Sequence, residues 1–329
     1  MVKTDYIQRL QNGMKDKYET SYIQICVNYA ENLLDRNLPV IFDGHHVDKI
    51  LKMTQIQFPY YNVFIIHGRS KEREITAPSL KLKLRQRWIL DEILKKMPLS
   101  ECCHGFVTGK SIVTNAEKHI GKKQILTVDI EDFFPSIKIE QIIQIFKAIG
   151  YSKTAAARLA DICCFEGQLP QGAPSSPCLA NLRCREMDHE LLRISQKYGL
   201  TYTRYADDMT FSADMDLLFL FPIIAEIIKK YGFSINNNKT RIFKENERKL
   251  ITGLLVKEDG LKIPKKFKRR LKQEIYYCKK FGVSTHLENI ASSKSVNFKE
   301  YLYGKAYYIK MVEPQTGEYF LKQLDEIQW

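Results

Sequence analysis

The sequence predicts an α+β protein in which helical regions precede and follow a central region rich in β-strands. Apolar residues recur at helical spacing in residues 1–60 and again after Pro264. Between these regions, several short runs of β-branched and aromatic residues are bounded by turn signals and predict strands. Hydrophobic residues make up 44% of the 329 residues, which supplies a substantial core and excludes a mainly disordered chain.

The net charge is strongly positive, because 51 Lys and Arg residues against 38 Asp and Glu residues leave a formal charge of +13. This excess predicts a polyanionic partner, with nucleic acid ahead of an anionic membrane surface. A membrane span is not expected. The longest apolar run, from Leu217 to Ala225, contains Pro222 and is far shorter than the ~20 residues that a spanning helix needs.

The cysteines and the N-terminus indicate a cytoplasmic protein. None of the eight cysteines forms a C-x-x-C pair, and the adjacent pairs Cys102/Cys103 and Cys163/Cys164 are poorly placed to hold one metal ion. Most of them are therefore expected to be buried thiols in a reducing compartment. Met1–Leu10 lacks the apolar stretch of a signal peptide.

The N-terminal region, residues 1–60, is predicted to form helices, one of them over Val47–Ile56. The preceding helix has an apolar face made of Tyr22, Ile23, Cys26, Val27, Tyr29 and Ala30. The next two runs, Tyr61–Ile66 and Lys71–Thr76, flank a turn and predict a hairpin that carries basic side chains.

Helical and strand signals then alternate. Leu80–Met97 has helical spacing, Gln124–Ile130 has the pattern of a strand, and Pro135 opens a further helix. A rigid loop rich in Pro and Gly covers residues 169–177 and leads into a helix that extends to about Tyr198.

The last part of the chain turns from strands to basic helices. Thr201–Tyr205 and Met209–Ala213 predict a hairpin, and a helix is expected over Leu217–Tyr231. Further strands are expected at Thr240–Phe243, Leu250–Val256 and Leu261–Ile263. From Pro264 the chain is predicted to be helical and very basic. The patterns divide the chain into a helical N-terminal segment (1–60), a central core (61–256) and a basic helical region (257–329).

The adjacent acids Asp207 and Asp208 lie at the tip of a predicted hairpin between apolar strands. Two neighbouring carboxylates in a tight turn repel each other, and turn geometry alone favours Asn-Gly or Asp-Gly at such a place. The pair therefore predicts a compensating cation. The alternative is a solvated acidic turn.

Asp129 lies at the C-terminal end of an apolar strand, where a charge is costly unless it is solvated or paired. If the hairpin lies antiparallel beside this strand, Asp129 and Asp207 converge on one sheet edge. Clusters of carboxylate oxygens suit Mg²⁺, and two such ions activate an attacking hydroxyl and stabilise a leaving phosphate oxygen. An acidic metal-binding centre inside a basic chain is what a nucleic acid polymerase requires.

Three motifs together resemble those of reverse transcriptases. Tyr205-Ala206-Asp207-Asp208 is similar to the Y-x-D-D hairpin, Asp129 to the first catalytic aspartate, and residues 169–177 to the L-P-Q-G-x-x-x-S-P loop. The resemblance extends from about Ile65 to Val256. It implies an RNA-directed DNA polymerase with a right-hand fold of fingers, antiparallel-sheet palm and helical thumb. It also implies that Asp129, Asp207 and Asp208 bind two Mg²⁺ ions.

Two shorter elements resemble marks of the retron class of bacterial reverse transcriptases. Asn115-Ala116-Glu117-Lys118-His119 matches an N-A-x-x-H element, and Ile251-Thr252-Gly253 is similar to a V-T-G triplet with Ile in place of Val. Group II intron, diversity-generating and CRISPR-associated reverse transcriptases share the polymerase core, so the retron assignment depends on these two elements and on chain length.

The resemblance to reverse transcriptases also implies roles for residues that would bind the incoming nucleotide. Phe134 corresponds to an aromatic gate against a ribose 2′-OH, and Gln171 to a residue that contacts the nucleotide. Arg73, with Lys71 nearby, corresponds to the grip on the triphosphate, and Lys239 to a lysine that protonates departing pyrophosphate. The alternatives are a core Phe134, a solvated β edge and a purely electrostatic Lys239.

Contacts with RNA or with the RNA–DNA product are expected from the retron elements and from the thumb. Asn115 and His119 lie four residues apart on a predicted helix and so share one face; Thr252 and Gly253 are placed in the same group. Basic thumb residues expected on the duplex backbone are Lys265, Lys266, Lys268, Arg269 and Arg270. The alternative for the thumb is an ordinary helical bundle with a basic solvated face.

The retron resemblance implies a particular reaction and particular partners. These are a cognate structured noncoding RNA of the msr-msd type, dNTPs, priming from a guanosine 2′-OH, and a branched RNA-linked single-stranded DNA product (msDNA). A role in anti-phage defence with a separately encoded effector protein is also implied. Two alternatives remain, namely another reverse transcriptase class that primes from a 3′-OH, and a non-catalytic RNA–DNA scaffold that restrains a toxin.

Overall fold

The computed structural model describes residues 3–52, 61–67, 72–290 and 297–329. These residues form two compact units that are discontinuous in sequence. The first unit consists of Met1–Glu101, Ile130–Glu190 and Ile228–Ser234, and the second of Cys102–Asp129, Leu191–Ile227 and Ile235–Trp329. The division into regions 1–60, 61–256 and 257–329 stays a prediction.

The order of elements follows the expected change from helices to mixed structure and back to helices. The helices are α1 (Lys3–Met14), α2 (Thr20–Asp35), α3 (Gly44–Ile50), α4 (Leu80–Glu92), α5 (Ile112–Glu117), α6 (Phe133–Ser136), α7 (Ile139–Ile149), α8 (Lys153–Cys163), α9 (Ser176–Lys197), α10 (Phe221–Lys230), α11 (Lys265–Phe281), α12 (Val283–Ile290), α13 (Phe298–Val312) and α14 (Pro314–Asp325). The strands are β1 (Tyr61–His67), β2 (Glu72–Pro78), β3 (Gln124–Asp129), β4 (Thr201–Tyr205), β5 (Asp208–Ala213), β6 (Arg241–Phe243), β7 (Leu250–Ile251), β8 (Leu254–Lys257) and β9 (Gly260–Lys262).

Helices make up most of the first unit, where α8 packs against α3, α4 and α7. The helix predicted to open at Pro135 has an apolar face, of which Ile142, Phe146 and Ile149 are buried and Ile143 is half-buried. That helix is nevertheless divided into α6 and α7. The division occurs at Ile137, whose backbone is extended and whose carbonyl accepts the Leu169 N–H at 3.0 Å.

The first unit also contains the hairpin of β1 and β2, which pair antiparallel from Tyr61 opposite Pro78 to His67 opposite Glu72. This confirms the hairpin expected from the two β-rich runs. The C-terminal part of the helix expected over Val47–Ile56 lies partly outside the described residues, and α3 ends at Ile50.

The second unit contains an antiparallel four-stranded sheet with strand order β4-β5-β3-β6. Most residues of the inner strands β3 and β5 are buried, on both faces of the strands, which is typical of a sheet covered on more than one side. Its central pair brings the C-terminal end of β3 to the N-terminal end of β5. The predicted antiparallel sheet is therefore confirmed.

A second sheet of this unit, β7-β8-β9, differs from the prediction. A single strand was expected over Leu250–Val256, whereas the chain turns back at Thr252 and Gly253, which have φ values of +43° and +85°. Two residues in this left-handed region form a tight hairpin turn whose twist matches that of the strands. A threonine at the first turn position gives no obvious turn signal.

The C-terminal helices α11, α13 and α14 pack around one apolar core in the second unit. Side chains of this core with no more than 1% exposure are Ala116, Ile125, Ile251, Leu254, Ile263, Leu271, Leu302, Ala306, Ile309 and Leu324. The retron-like triplet at 251–253 thus shares a core with the basic helical region. No helix among the described residues is both long enough and apolar enough to span a bilayer.

Candidate active site

The acidic hairpin has the geometry expected from the sequence. Strands β4 and β5 are joined by only two residues, Ala206 and Asp207, and Tyr205 lies opposite Asp208 in the register. Ala206 has a φ of +58°, which glycine adopts freely and alanine only at a cost of roughly 1–3 kcal/mol. The turn that carries the acids is therefore strained and must be supported by its surroundings.

Asp129 and Asp208 are direct cross-strand neighbours, since β3 and β5 pair antiparallel with these two residues opposite each other. Side chains at such positions have Cβ atoms roughly 4.5–5.5 Å apart. The condition for convergence is met, because the hairpin does lie antiparallel beside β3. The direct partner of Asp129 is Asp208, whereas Asp207 occupies the adjoining turn.

Asp129 is compensated by a lysine from a distant part of the chain. Its carboxylate is 8% exposed and accepts two hydrogen bonds from Lys239 Nζ, at 2.8 and 2.9 Å. The backbone holds the lysine in reach, because the Asn236 N–H donates to the Asp129 carbonyl at 2.8 Å and a turn joins Asn236 to Lys239. This contact raises the pKa of Lys239, so the ammonium stays protonated.

Asp208 experiences the opposite electrostatic environment. The residue is solvent-exposed, yet surrounding protein lowers the hydration of its carboxylate, and the negative charges of Asp207 and Asp129 add to this effect. Together they raise the pKa of Asp208 to about 6. Lys239 lowers the pKa of Asp208 by less than burial and the neighbouring acids raise it, so the site favours added positive charge.

The donor set of this site fits a divalent cation. Carboxylate oxygens from Asp129, Asp207 and Asp208 are hard ligands of the kind that Mg²⁺ and similar ions prefer. Among residues 3–52, 61–67, 72–290 and 297–329, no three acidic, imidazole or thiol groups are already gathered as a complete metal site. Lys239 supplies the cation that Asp129 would otherwise receive from a metal.

A cleft of about 570 Å³ opens beside the acids in the second unit. Its lining consists of Thr127, Val128, Asp129, Asp208, Lys239, Arg241, Phe243, Arg248, Leu250, Pro264 and Lys266. Basic side chains thus surround the two acids on the wall of one cleft. This combination suits a ligand that carries phosphates and bound metal together.

Two cleft residues, Arg241 and Arg248, were not found by reasoning from the sequence. Arg241 follows Lys239 by two residues at the start of β6. Because residues two apart in an extended chain lie on the same face, this spacing could have placed Arg241 on the side of Lys239. Arg248 lies in a charged loop without a motif, and only the folded chain brings it to the cleft.

The Pro-rich loop lies in the first unit, against the end of the β1–β2 hairpin. The Gln171 carbonyl accepts the Thr76 N–H at 3.0 Å, and the Gln171 side chain is half-buried. Gly172 has a φ of +137°, and a Cβ at this position would lie 2.9 Å from the Thr76 carbonyl oxygen. The loop therefore needs glycine there to reach the hairpin. The nucleotide contact of Gln171 stays a prediction.

The other residues expected to bind nucleotide also belong to the first unit or lie outside the described residues. Phe134 is half-buried on α6, with its ring 5.4 Å from that of Phe133. Arg73 is part of β2, opposite Ile66 in the register. Lys71 lies outside the described residues. Their roles at the triphosphate and the sugar stay predictions.

The N-A-x-x-H element is buried inside the second unit. Asn115 lies on α5 and His119 follows its end, and both are 0% exposed. His119 Nδ1 lies 2.6 Å from Ser212 Oγ, and its Nε2 lies 2.8 Å from Thr203 Oγ1. Neither amide atom of Asn115 has a hydrogen-bond partner among the described residues. Contact with RNA stays a prediction, and it would require α5 to move.

The thumb residues expected on the duplex backbone divide into two groups. Lys265, Lys266, Arg269 and Arg270 are exposed on the first turns of α11. Lys268 instead forms an ion pair with Glu313 at 2.6 Å, and these side chains are 25% and 11% exposed. Burial alone would raise the pKa of Glu313, but Lys268 and the Ile263 N–H hold it below its usual value.

Comparison with known proteins decides the family. Residues 66–277 match the family described as "Reverse transcriptase (RNA-dependent DNA polymerase)". The chain is 36% identical over 243 residues to the Retron Ec86 reverse transcriptase of Escherichia coli, a match that covers 70% of this chain and 73% of that protein. The chain belongs to the retron reverse transcriptases. It is therefore an RNA-directed DNA polymerase with the right-hand fold, works with an RNA template and depends on a divalent metal ion.

Two further retron relatives and one solved structure match this chain over less than two thirds of their own lengths. The Retron Mx162 and Retron Mx65 reverse transcriptases of Myxococcus xanthus are each 31% identical to it, over 78% and 79% of this chain. The chain spans only 58% and 63% of their lengths. A solved telomerase from Candida albicans, in complex with the TWJ fragment of telomeric RNA, covers 84% of this chain and 64% of its own at 13% identity, with a TM-score of 0.48. That likeness is too weak to carry an argument.

Proposed function

We propose that this retron reverse transcriptase copies a cognate structured noncoding RNA of the msr-msd type into msDNA, with priming from a guanosine 2′-OH. The observation that carries the proposal is the cross-strand pair of Asp129 and Asp208 in a basic cleft. The family membership supports the copying of RNA into DNA. The similarity to retron reverse transcriptases supports the retron class, and the cognate RNA and the branched product are what that class implies.

The acids Asp129, Asp207 and Asp208 would hold two Mg²⁺ ions. Two bound divalent cations supply activation of an attacking hydroxyl and neutralisation of the leaving phosphate oxygen. The reaction forms a bond between the guanosine 2′ oxygen and the α-phosphorus of a dNTP, breaks the bond from that phosphorus to pyrophosphate, and releases the hydroxyl proton. Later additions proceed in the same way from the 3′-OH of the growing DNA.

Lys239 would contribute a fixed positive charge beside the acids. Its contact with Asp129 keeps it protonated, so it can give a proton to departing pyrophosphate or stabilise the negative charge that develops there. Arg241, Arg248 and Lys266 line the same cleft and would hold backbone phosphates.

The incoming dNTP would be bound by residues assigned from their motif positions. In this proposal Lys71 and Arg73 bind the triphosphate, Gln171 contacts the nucleotide, and Phe134 excludes a ribose 2′-OH. The rigid contact of the Gln171 loop with Thr76 supports a fixed position for that side chain. The basic thumb would grip the RNA–DNA duplex through its exposed side chains.

The biological role proposed here is anti-phage defence together with a separately encoded effector protein. Support comes from the retron relatives alone. The test is a plaque assay in cells that carry the reverse transcriptase, its neighbouring noncoding gene and the next open reading frame. Protection that requires all three supports this role, and unchanged plaque counts contradict it.

The reaction is tested by incubating purified protein with its neighbouring noncoding RNA, labelled dNTPs and Mg²⁺. A labelled product that is shortened by a debranching enzyme specific for 2′–5′ linkages is expected. A product that resists debranching contradicts priming from a 2′-OH and favours a 3′-OH primer.

Matched variants test the assignment of the acids. Asp207→Asn and Asp129→Asn should each reduce the rate of nucleotide addition by about 10³-fold or more, while RNA affinity is retained. Asp214→Asn is the control, because Asp214 follows the same strand β5 but forms an exposed ion pair with Lys122. Equal rates in the Asp207 and Asp214 variants would contradict the metal assignment.

A further inference from the structure

A buried histidine links the two strands of the acidic hairpin. The His119 ring reaches Thr203 on β4 through Nε2 and Ser212 on β5 through Nδ1, at 2.8 and 2.6 Å. In the register, Thr203 is opposite Thr210 and Ser212 is opposite Thr201, so the two hydroxyls are diagonal neighbours on one face of the sheet. One imidazole therefore fixes both strands within a few residues of the turn that carries Asp207.

Burial suits this imidazole to a structural link. Burial lowers the pKa of His119 to about 3, with smaller contributions from His104 and the Lys122 ammonium. The ring is therefore neutral at physiological pH and has one donor and one acceptor nitrogen. Hydroxyl groups can serve as either partner, so both contacts are satisfied at once.

The segment before α5 supports the same hairpin from its outer edge. The Arg204 N–H donates to the Cys102 carbonyl at 2.8 Å, and the His104 N–H donates to the Arg204 carbonyl at 2.7 Å. Gly105 then approaches the strained turn so closely that a Cβ would lie 2.5 Å from the Ala206 nitrogen. His104 Nδ1 lies 2.9 Å from Thr114 Oγ1 and joins this segment to α5.

Helix α5 also contacts the turn between β7 and β8. Thr252 Oγ1 donates to the Ile112 carbonyl at 3.5 Å, at the start of α5. Ala116 of α5 is fully buried in the same apolar cluster as Ile251 and Leu254. The two elements that resemble retron marks, 115–119 and 251–253, are therefore in contact with each other through α5.

We propose that residues 102–119 form a brace that holds the catalytic hairpin in its working geometry, with His119 and Gly105 as positioning residues. This inference rests on the proposed catalytic role of Asp207 and Asp208. The brace contacts both strands and the turn of the hairpin, and α5 connects it to the core shared with the thumb helices. His119 acts through Thr203 and Ser212 and touches neither substrate nor metal.

Kinetics separate a brace from a site of RNA contact. His119→Ala and Gly105→Ala are expected to lower kcat for nucleotide addition about tenfold or more, because small displacements of catalytic groups are costly. The KM for dNTP and the Kd for the cognate RNA should change less than about threefold. His119→Gln should restore part of kcat, since its amide can still bond one hydroxyl. The control is His45→Ala, an exposed histidine on α3.

Two kinetic outcomes overturn the proposal. If the Kd for RNA rises in His119→Ala by the same factor as kcat falls, the element contacts RNA and is not a brace. If kcat is unchanged in both His119→Ala and Gly105→Ala, the hairpin does not need this support.

Hydrogen exchange tests the brace without any DNA synthesis. In the full-length chain, backbone amides of residues 204–209 are expected to exchange faster in His119→Ala than in wild type. Should His119→Ala fail to fold, Thr203→Val and Ser212→Ala each remove a single contact and should show the same local change. Unchanged exchange in these variants overturns the brace. A wild-type protein that makes no DNA overturns the proposed function alone, because the exchange measurement still decides the brace.

Discussion

Lys239 donates from its ammonium group to both carboxylate oxygens of Asp129, at 2.8 and 2.9 Å. The two residues are 110 positions apart in the sequence. Asp129 is nearly enclosed, with 8% of its side chain exposed, whereas 57% of the Lys239 side chain is exposed. The enclosed carboxylate depends on this lysine for its charge compensation, and a divalent ion at the same acids would supply a second source.

We expect Lys239→Met to destabilise the metal-free protein by about 1–2 kcal/mol, because the substitution leaves Asp129 buried without its partner. Added Mg²⁺ should restore more of the melting temperature in the variant than in wild type, since the metal takes over the compensation. Thermal unfolding with and without Mg²⁺ measures both effects.

Lys123→Met is the control for this experiment, because Lys123 forms an exposed pair with Glu245 at 3.5 Å. It should change the melting temperature little, and equally with and without metal. If Mg²⁺ shifts wild type, Lys239→Met and Lys123→Met by the same amount, metal binding and the Lys239 contact are independent.

Gly172→Ala should disturb the loop expected to position the incoming nucleotide. The added methyl would lie 2.9 Å from the Thr76 carbonyl oxygen at a φ of +137°, so both sterics and backbone conformation oppose it. We expect a loss of about 1–3 kcal/mol in unfolding free energy and a raised KM for dNTP. Gly13→Ala on α1 is the control, because a Cβ there meets no atom within 4 Å. If neither variant raises the KM for dNTP, the loop does not take part in nucleotide binding.

The stability of the protein should fall as the pH is lowered from 7.5 to 5.0, in part because of His119. Its pKa is about 3 in the folded chain and near 6.5 when unfolded. Between these two pH values the unfolded state binds a proton that the folded state does not bind. This contribution is fully present above pH 6.5 and is lost progressively as the pH falls towards 3. By pH 5.0 the loss amounts to about 2 kcal/mol.

Denaturant unfolding at pH 7.5 and pH 5.0 measures this loss. In His119→Gln the difference between the two pH values should be smaller by about 2 kcal/mol, because glutamine does not titrate. Burial also lowers the pKa of His104 to about 4. His104 therefore contributes part of the pH dependence of stability in both proteins. His45→Gln should behave as wild type, and an unchanged difference in His119→Gln would contradict a buried neutral His119.

Local patterns predicted well the strands of the sheet that carries the acids. The alternation in Thr201–Tyr205 and Met209–Ala213 gave both strands of the hairpin, and the apolar run ending at Asp129 gave its neighbour. These signals are local because the sequence of each strand by itself shows the pattern of apolar residues that the strand buries. The antiparallel pairing of β4 with β5 follows from the short turn, whereas the pairing of β5 with β3, on which the convergence of the acids depends, was a condition that the structure supplies.

Contacts between distant segments could not be predicted in the same way. Nothing near Gly105 signals that its missing side chain admits the backbone of Ala206, and nothing near Lys239 signals Asp129. The turn at Thr252 was missed because a threonine with positive φ is stabilised by its contact with α5, which the local sequence does not contain. The same limit explains why the local sequence of His119, a residue expected to contact RNA, does not reveal its contacts with Thr203 and Ser212.

The exposed and paired lysines of α11 should respond differently to neutralisation. Salt dependence is measured as the slope of log affinity for RNA–DNA duplex against log salt concentration. Replacing Lys265, Lys266, Arg269 and Arg270 by Gln should make this slope less steep, by somewhat less than one unit for each phosphate contact that is lost. Lys268→Gln should instead lower the melting temperature and leave the slope nearly unchanged, because Lys268 is held by Glu313 at 2.6 Å. Binding titrations at several salt concentrations, beside thermal unfolding, measure both quantities. A slope that falls equally for Lys268→Gln and for Lys266→Gln would mean that Lys268 leaves Glu313 to bind phosphate, and the thumb would then rearrange on its substrate.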